Sequence, residues 1–375
     1  RSGRILVGDA ALTVVQDGVD AGARTVVGGI AEAPGAEGTR WRSDLAVLNP
    51  SGVATPLTVT YRHPGGEVER TATLAGAGLL SWPRAPVELF GVEGSSSGSV
   101  EVSSEHPVIV TARTYNTAVS GTYGQFLPGV GATSGLGAGD TAVLAPLASN
   151  DLFRTNVGFV DVGGGGGRGE VTLHSAAGVA LGVPVEIAVG ALGWAQQNRV
   201  FEAAGAGSCD ACYAVVRAAG AGDRLWAYAS VVDNASGDPT TLPGAAGAAT
   251  AGPWLVAGIA DTAGLNDTRW KSTLAIVNRS AGETSATLRY RHAGGVEERS
   301  LSLPGGGMSA WDNVAVDLFG RPSSSGAVEV VSASPLAVTA RTYNDGPDGT
   351  FGQSLPGVTV ADALGSGGRA LLSQL

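Results

Sequence analysis

The sequence predicts an all-β chain of three tandem β-sandwich modules, with extra strands at its N- and C-terminal ends. Three observations predict it. Long stretches of sequence recur at a fixed spacing, apolar residues alternate with period two inside each copy, and no stretch carries a 3.6-residue apolar stripe.

The repeat organises everything else. Gly38-Thr-Arg-Trp-Arg-Ser-Asp-Leu-Ala-Val-Leu-Asn49 returns as Asp267-Thr-Arg-Trp-Lys-Ser-Thr-Leu-Ala-Ile-Val-Asn278, with Trp41 and Trp270 229 residues apart. Tyr61-Arg-His63 and Leu89-Phe-Gly91 return at that spacing as Tyr290-Arg-His292 and Leu318-Phe-Gly320. Beyond a single-residue deletion, Ala112-Arg-Thr-Tyr-Asn116 becomes Ala340-Arg-Thr-Tyr-Asn344, and Leu127-Pro-Gly-Val130 becomes Leu355-Pro-Gly-Val358. A diverged copy lies between them. There Phe153-Arg-Thr-Asn-Val-Gly-Phe-Val160 stands for Trp41-Arg-Ser-Asp-Leu-Ala-Val-Leu48, Trp194 for Trp82 and Trp311, and Ala229-Ser-Val-Val-Asp233 for the Ala112 segment. The modules run over 25–130, 140–244 and 253–358, flanked by a strand segment 1–24 and a C-terminal strand 359–375. The Gly/Ala-rich joins 131–139 and 244–252 read as linkers.

Within a module, Leu57-Thr-Val-Thr-Tyr61 and Ser99-Val-Glu-Val-Ser103 alternate, while Val108-Ile-Val-Thr-Ala112 is more continuously apolar. Turns such as His63-Pro-Gly-Gly66 and Leu74-Ala-Gly76 separate the runs. About seven strands in roughly 105 residues fit an immunoglobulin-like sandwich. Pro86-Val-Glu-Leu-Phe90 reads as one short helical turn.

Composition narrows the function. Glycine supplies 59 of 375 residues and charged residues only 15%, against usual shares of about 7% and about 25%. The glycines follow no three-residue period, which excludes collagen, and no apolar run approaches the ~20 residues of a membrane helix. A net charge of −10 without a basic run gives no electrostatic footprint for nucleic acid or anionic membrane. Only one basic residue is a lysine, Lys271, which reads as codon bias. The numbering opens at Arg1 with no initiator Met or signal peptide, so a processed chain or a fragment is expected.

Arg341-Thr-Tyr-Asn344, Gly349-Thr-Phe-Gly-Gln353 and Leu355-Pro-Gly357 form one recurring set of motifs. With them go Arg154-Thr-Asn-Val-Gly158 and the run Ala229-Ser-Val-Val-Asp-Asn-Ala-Ser-Gly-Asp-Pro239. Together these resemble the tandem immunoglobulin-like repeats of large secreted bacterial surface proteins, over about residues 25 to 375. The resemblance implies an extracellular, non-catalytic module at the cell surface. It offers no catalytic residues to carry over.

The C-terminal stretch 364–375 aligns without gaps to 136–147, the opening of the second module. Arg369, Ala370, Leu371, Leu372, Ser373, Gln374 and Leu375 therefore form the opening strand of a further module whose body is absent. A lone apolar strand cannot satisfy its backbone or bury its side chains. Either the chain is cut from a longer array, or these residues complete a sheet in the next subunit by strand donation. Head-to-tail contacts of that kind generate open fibres. Residues 1–24, with strand-like Ile5-Leu-Val7 and Leu12-Thr-Val-Val15, could cap the first module's edge or receive an incoming strand.

Candidate chemistry is sparse. Cys209-Asp-Ala-Cys212 reads as half a zinc site, a redox motif or a short-range disulfide. The disulfide is preferred, placed just before the strand Tyr213-Ala-Val-Val216, because the four histidines lack zinc spacing and an all-β setting lacks the helix a redox motif needs. Gly94-Ser-Ser-Ser-Gly98 matches the nucleophile-elbow pattern literally, but a strand follows where a helix is required, so it reads as a flexible loop. Glycines 163–167 read as a floppy hairpin loop rather than a phosphate cradle. Asp233-Asn-Ala-Ser-Gly-Asp238 and Asn344-Asp-Gly-Pro-Asp-Gly349 read as Asx turns, with calcium the rival. Asn234, Asn266 and Asn278 head glycosylation sequons. Trp41, Trp270, Phe153, Trp82, Trp194 and Trp311 read as core packing, with a sugar platform the rival. Arg42, Arg154, Lys271, Arg113 and Arg341 read as snorkelling or paired structural cations.

The expectation is a non-enzymatic extracellular structural or adhesive protein, a filament subunit that self-associates head to tail, with no cofactor or metal and a surface glycan as candidate partner. The rival is a carbohydrate- or protein-binding accessory region of a secreted enzyme.

Overall fold

The computed structural model describes residues 2–7, 10–15, 23–35, 38–118, 121–245 and 252–359; the first two stretches and residue 118 are described as backbone alone. The chain is all-β, with antiparallel sheets that pack as sandwiches.

From residue 23 onward the described strands fall into three sheet pairs. In the second pair the two four-stranded sheets are separate. One runs Thr141–Ser149, Cys209–Ala218, Gly167–Ser175, Ala180–Val189, and the other Trp194–Gln197, Phe153–Asp161, Leu225–Asp233, Pro239–Pro243. The first and third pairs repeat this order, but their opening strands turn a corner and join both sheets. Ala23–Pro34 pairs with Ser96–Ser104 up to Glu32, then with Arg40–Leu48 from Glu32 onward. A register shift between Gly28 and Ile30 makes the bend, and Gly29 there has φ +77°, a conformation costly for any residue with a Cβ. Gly258, also at φ +77°, bends Trp254–Ala263 in the same way.

The first two pairs hold eight strands each and the third nine, counting the two-residue Val358–Thr359, rather than about seven. The strand that sequence pattern misses is short: Leu79–Trp82, Trp194–Gln197 or Met308–Trp311, four residues each and too brief to show alternation. A helical turn follows each, and the expected one at Pro86 begins a residue earlier, at Ala85–Glu88.

Period-two alternation does the folding work. Leu57, Val59 and Tyr61 point into one core and are at most 1% exposed, and each such burial contributes roughly 1.5–3 kcal/mol. The Tyr61 hydroxyl, buried with its ring, bonds Ser96 Oγ at 3.1 Å, and Tyr290 bonds Ser324 at 2.9 Å. Three large clusters of buried side chains result, one inside each sheet pair.

The sheet pairs are not strung on loose linkers. Val26, Val130, Val160 and Val162 form an apolar contact between the first and second. Val143, Tyr213, Ala275, Val277, Met308 and Ala337 form another between the second and third. Tyr123 meets Phe351 with ring centroids 4.5 Å apart, so the first also touches the third. The join 131–139 departs from the linker expectation. It contains the short 3-10 turn Ala132–Ser134, and Leu136 is buried in the second core and exchanges backbone bonds with Leu225. The residues were read as linker because glycine and alanine dominate, but one leucine anchors them.

Ser2–Val7 and Ala10–Val15 pair with each other as a separate two-stranded sheet. Residues 360–375, with the expected strand Arg369 to Leu375, lie outside the described residues. Val358–Thr359 adds two residues to the edge of Trp254–Ala263.

Candidate functional site

The last strand of each sheet pair is an edge strand: Gly121–Pro128, Pro239–Pro243 and Gly349–Pro356. All three end in Leu-Pro: Leu127-Pro128, Leu242-Pro243 and Leu355-Pro356, with glycine next. These closing strands converge on one pocket of about 780 Å³. Each contributes the same four positions counted back from its proline. Pro128, Pro243 and Pro356 line it, and so do Gln125, Thr240 and Gln353 three residues earlier. Phe126, Thr241 and Ser354 form a further ring of equivalents, and Gly124, Pro239 and Gly352 the last. Asp44, Ser81 and Arg113 add a charged wall from the first pair alone.

A polar network fixes the strands. Gln125 Oε1 accepts from Ser230 Oγ at 3.0 Å and Thr241 Oγ1 at 2.8 Å, tying the first pair to the second. Asp233 and Asp238 tie the second to the third. Asp233 Oδ2 accepts from the Thr350 N–H and hydroxyl at 2.9 and 2.8 Å, while its other oxygen accepts from the Ala235 and Ser236 amides. Burial alone would raise its carboxyl, but those donors outweigh it and hold Asp233 below the usual range. Among the described residues the Asp238 carboxylate accepts only from Gly352 N–H at 2.9 Å, and it lies 3.6 Å from Arg341. Burial therefore wins, and pushes its carboxyl up to about 6.

The two repeat-equivalent arginines differ. Arg341, its side chain 12% exposed, donates to Thr240 at 2.8 Å and Thr350 at 3.0 Å and is absorbed by the junction. Arg113 lies over the Tyr115 ring, gives one nitrogen to Thr122, and faces the pocket beside its cross-strand neighbour Asp44.

Apart from Arg113, Arg341 and the Asp233–Asp238 run, the residues singled out by sequence lie elsewhere or play other parts. Cys209 and Cys212 are joined by a disulfide, within the strand Cys209–Ala218 rather than ahead of it. Trp41, Trp82, Trp194, Trp270, Trp311 and Phe153 are all half-buried, and Trp82 and Trp311 pack against their cores as expected. They flank the cores and the contacts between sheet pairs; Trp194 Nε1 donates to Tyr228 Oη at 2.8 Å beside the first contact. Glycines 163–167 are not floppy: the Asp161 carboxylate accepts from the amides of Gly163, Gly164, Gly166 and Leu192. The loop cradles an anion, but the anion is its own. Gly94 and Ser95 form an exposed bend, but Ser96 is buried against Tyr61 and opens the strand Ser96–Ser104, so only the first part of the Gly94 motif is loop. Asn278 is fully buried and donates to three carbonyls, which rules it out as a sugar acceptor. Arg42 approaches the buried Glu32 at 3.9 Å, Arg154 bonds Asn234 at 2.7 Å, and Lys271 pairs with Asp345 at 2.5 Å. Among the described residues no cluster of three or more His, Cys, Asp or Glu could hold a metal, and no helix is long and apolar enough to cross a membrane.

Sequence reasoning missed the pocket. Its signal was Leu242-Pro243-Gly244, the third occurrence of a motif noticed only twice.

No family model and no curated protein matches the chain. Among solved structures it is similar to Thermotoga maritima 1070, at 10% identity and TM-score 0.25, over 31% of this chain and 96% of that one. It is also similar to a tetra-tandem repeat in the extending region of a large adhesion protein, at 13% identity and TM-score 0.12, over 93% and 94%. At those scores neither likeness carries an argument.

Proposed function

We propose that the chain is a non-enzymatic structural and adhesive element of the cell exterior. Three immunoglobulin-like modules, 25–130, 140–244 and 253–358, act as one rigid block, and residues 369–375 join that block head to tail to a neighbour by strand addition. One observation carries the joining step. Ala370, Leu372 and Leu375 correspond to Ala142, Leu144 and Leu147, which are at most 1% exposed inside the second core. A strand of that pattern hides its side chains only against a sheet.

The opening strands of all three modules are already seated in their own sheets, so an incoming strand must add at an outer edge. Gly66–Leu74 and Gly295–Leu303 are such edges and contain no proline. The disulfide supports an oxidising compartment.

Light scattering on the whole chain across a concentration series, with negative-stain microscopy, tests the proposal. The proposal expects chains of particles that Leu372→Asp converts to monomers. Monomers at every concentration in the unaltered chain would overturn it.

A further inference from the structure

We propose that the half-open pocket lined by the three closing strands binds a neutral oligosaccharide. The inference gives the adhesive reading above its ligand class and rests on that reading for the chain's exposure to glycans; the site itself is complete within one chain.

The two apolar contacts between sheet pairs are closed by valine and methionine. The third meeting place is different. It leaves about 780 Å³, inside the ~300–1,000 Å³ range of ligand pockets. Contacts that served only to hold sheets together would be filled.

Its polar groups are not all committed. Ser354 Oγ has no partner among the described residues, but it is shut off from solvent and does not open onto the ligand space. The exposed Gln353 amide makes no hydrogen bond there either. Gln125 uses only its oxygen, which leaves its NH₂ to donate. Arg113 commits one nitrogen of its guanidinium. Planar forks of this kind, amide and guanidinium together with the Asp44 carboxylate, span adjacent hydroxyls on a sugar ring. Phe126 lies 58% exposed beside the proline rings and offers an apolar face to the C–H side of a pyranose.

Two features select against other ligands. Each closing strand ends in proline, which removes a backbone donor there and disfavours addition of an extended peptide over that end. Arg113 and Asp44 offset each other in a chain of net charge −10, so the wall does not favour an anionic sugar.

The test is calorimetric titration of the whole chain with short neutral oligosaccharides of glucose, galactose and mannose, repeated with acidic oligosaccharides and with Leu372→Asp. At least one neutral sugar binds, and Phe126→Ala and Gln353→Ala each weaken it about tenfold with Tm unchanged. Leu372→Asp binds as well as the unaltered chain, so loss of polymer and loss of sugar binding are separable. Absence of binding at millimolar sugar, binding that ignores both pocket variants, or preference for acidic sugars would each overturn the proposal.

Discussion

Replacing Arg341 by methionine removes the only cation within ion-pair distance of Asp238 among the described residues. The two side chains are 12% and 5% exposed and 3.6 Å apart. Methionine keeps most of the volume but makes neither the Thr240 nor the Thr350 bond. Asp238 is then left buried with the Gly352 amide alone. Breaking a buried pair by removing one partner costs about 3–5 kcal/mol. With about 2.1 cal/mol/K of unfolding entropy per residue, a chain of 375 residues shifts by about 1.3 °C per kcal/mol, so Tm falls by roughly 5 °C. Asp238 limits the loss by taking up a proton. Burial already raises its carboxyl to about 6 against the pull of the Gly352 amide and Arg341, and without Arg341 it rises further. A carboxyl raised in the folded state keeps a proton that the unfolded chain releases, so its penalty grows as pH climbs from the unfolded to the folded pKa. The variant's loss is therefore smaller at about pH 5 than at about pH 7.5. Scanning calorimetry of both proteins at both pH values reads this. Equal losses at the two pH values, or none, would refute the reasoning.

Three further outcomes follow from the same geometry. Asp238→Asn flattens the stability–pH curve between the ordinary aspartate value of 3.8 and about 6, a span on the order of 3 kcal/mol; urea unfolding across that range checks it, and an unchanged slope counts against the assignment. Reducing Cys209–Cys212 opens a loop closed over a separation of 3 residues. The loss is then modest, about 2 kcal/mol, and thermal unfolding with and without reductant reads it. Tyr228→Phe strands the Trp194 N–H and the Gln196 carbonyl, bonded to Tyr228 at 2.8 and 2.9 Å, and lowers unfolding free energy by about 1–3 kcal/mol.

The sequence displayed its sheets more openly than its contacts. Leu57, Val59 and Tyr61 alternate because one face of the strand is buried, and that is local information. The bend at Gly29 is local too, though glycine abundance concealed which glycine mattered. What one strand does to a strand 116 or 117 residues away is not local. Thr350 meets Asp233, and Gln125 meets Thr241, through the arrangement of whole sheet pairs, and no spacing records that. Repetition in register marks the packing of Trp82 and Trp311 against their cores but not that these rings stay half-exposed. They recur where a sheet pair needs a half-buried flank, as Trp194 does between Tyr228 and the first opening strand. The linker reading failed at Leu136 for a related reason: composition averages over the one residue that anchors the segment.

The account depends on the three sheet pairs closing round one pocket instead of trailing as a string. Small-angle scattering of the monomeric Leu372→Asp chain measures that directly. A closed cluster of this length has a radius of gyration of about 21 Å, somewhat enlarged by the chain ends. Three separate bodies in line would exceed roughly 30 Å, and a value in that range would contradict the closed junction and the pocket with it.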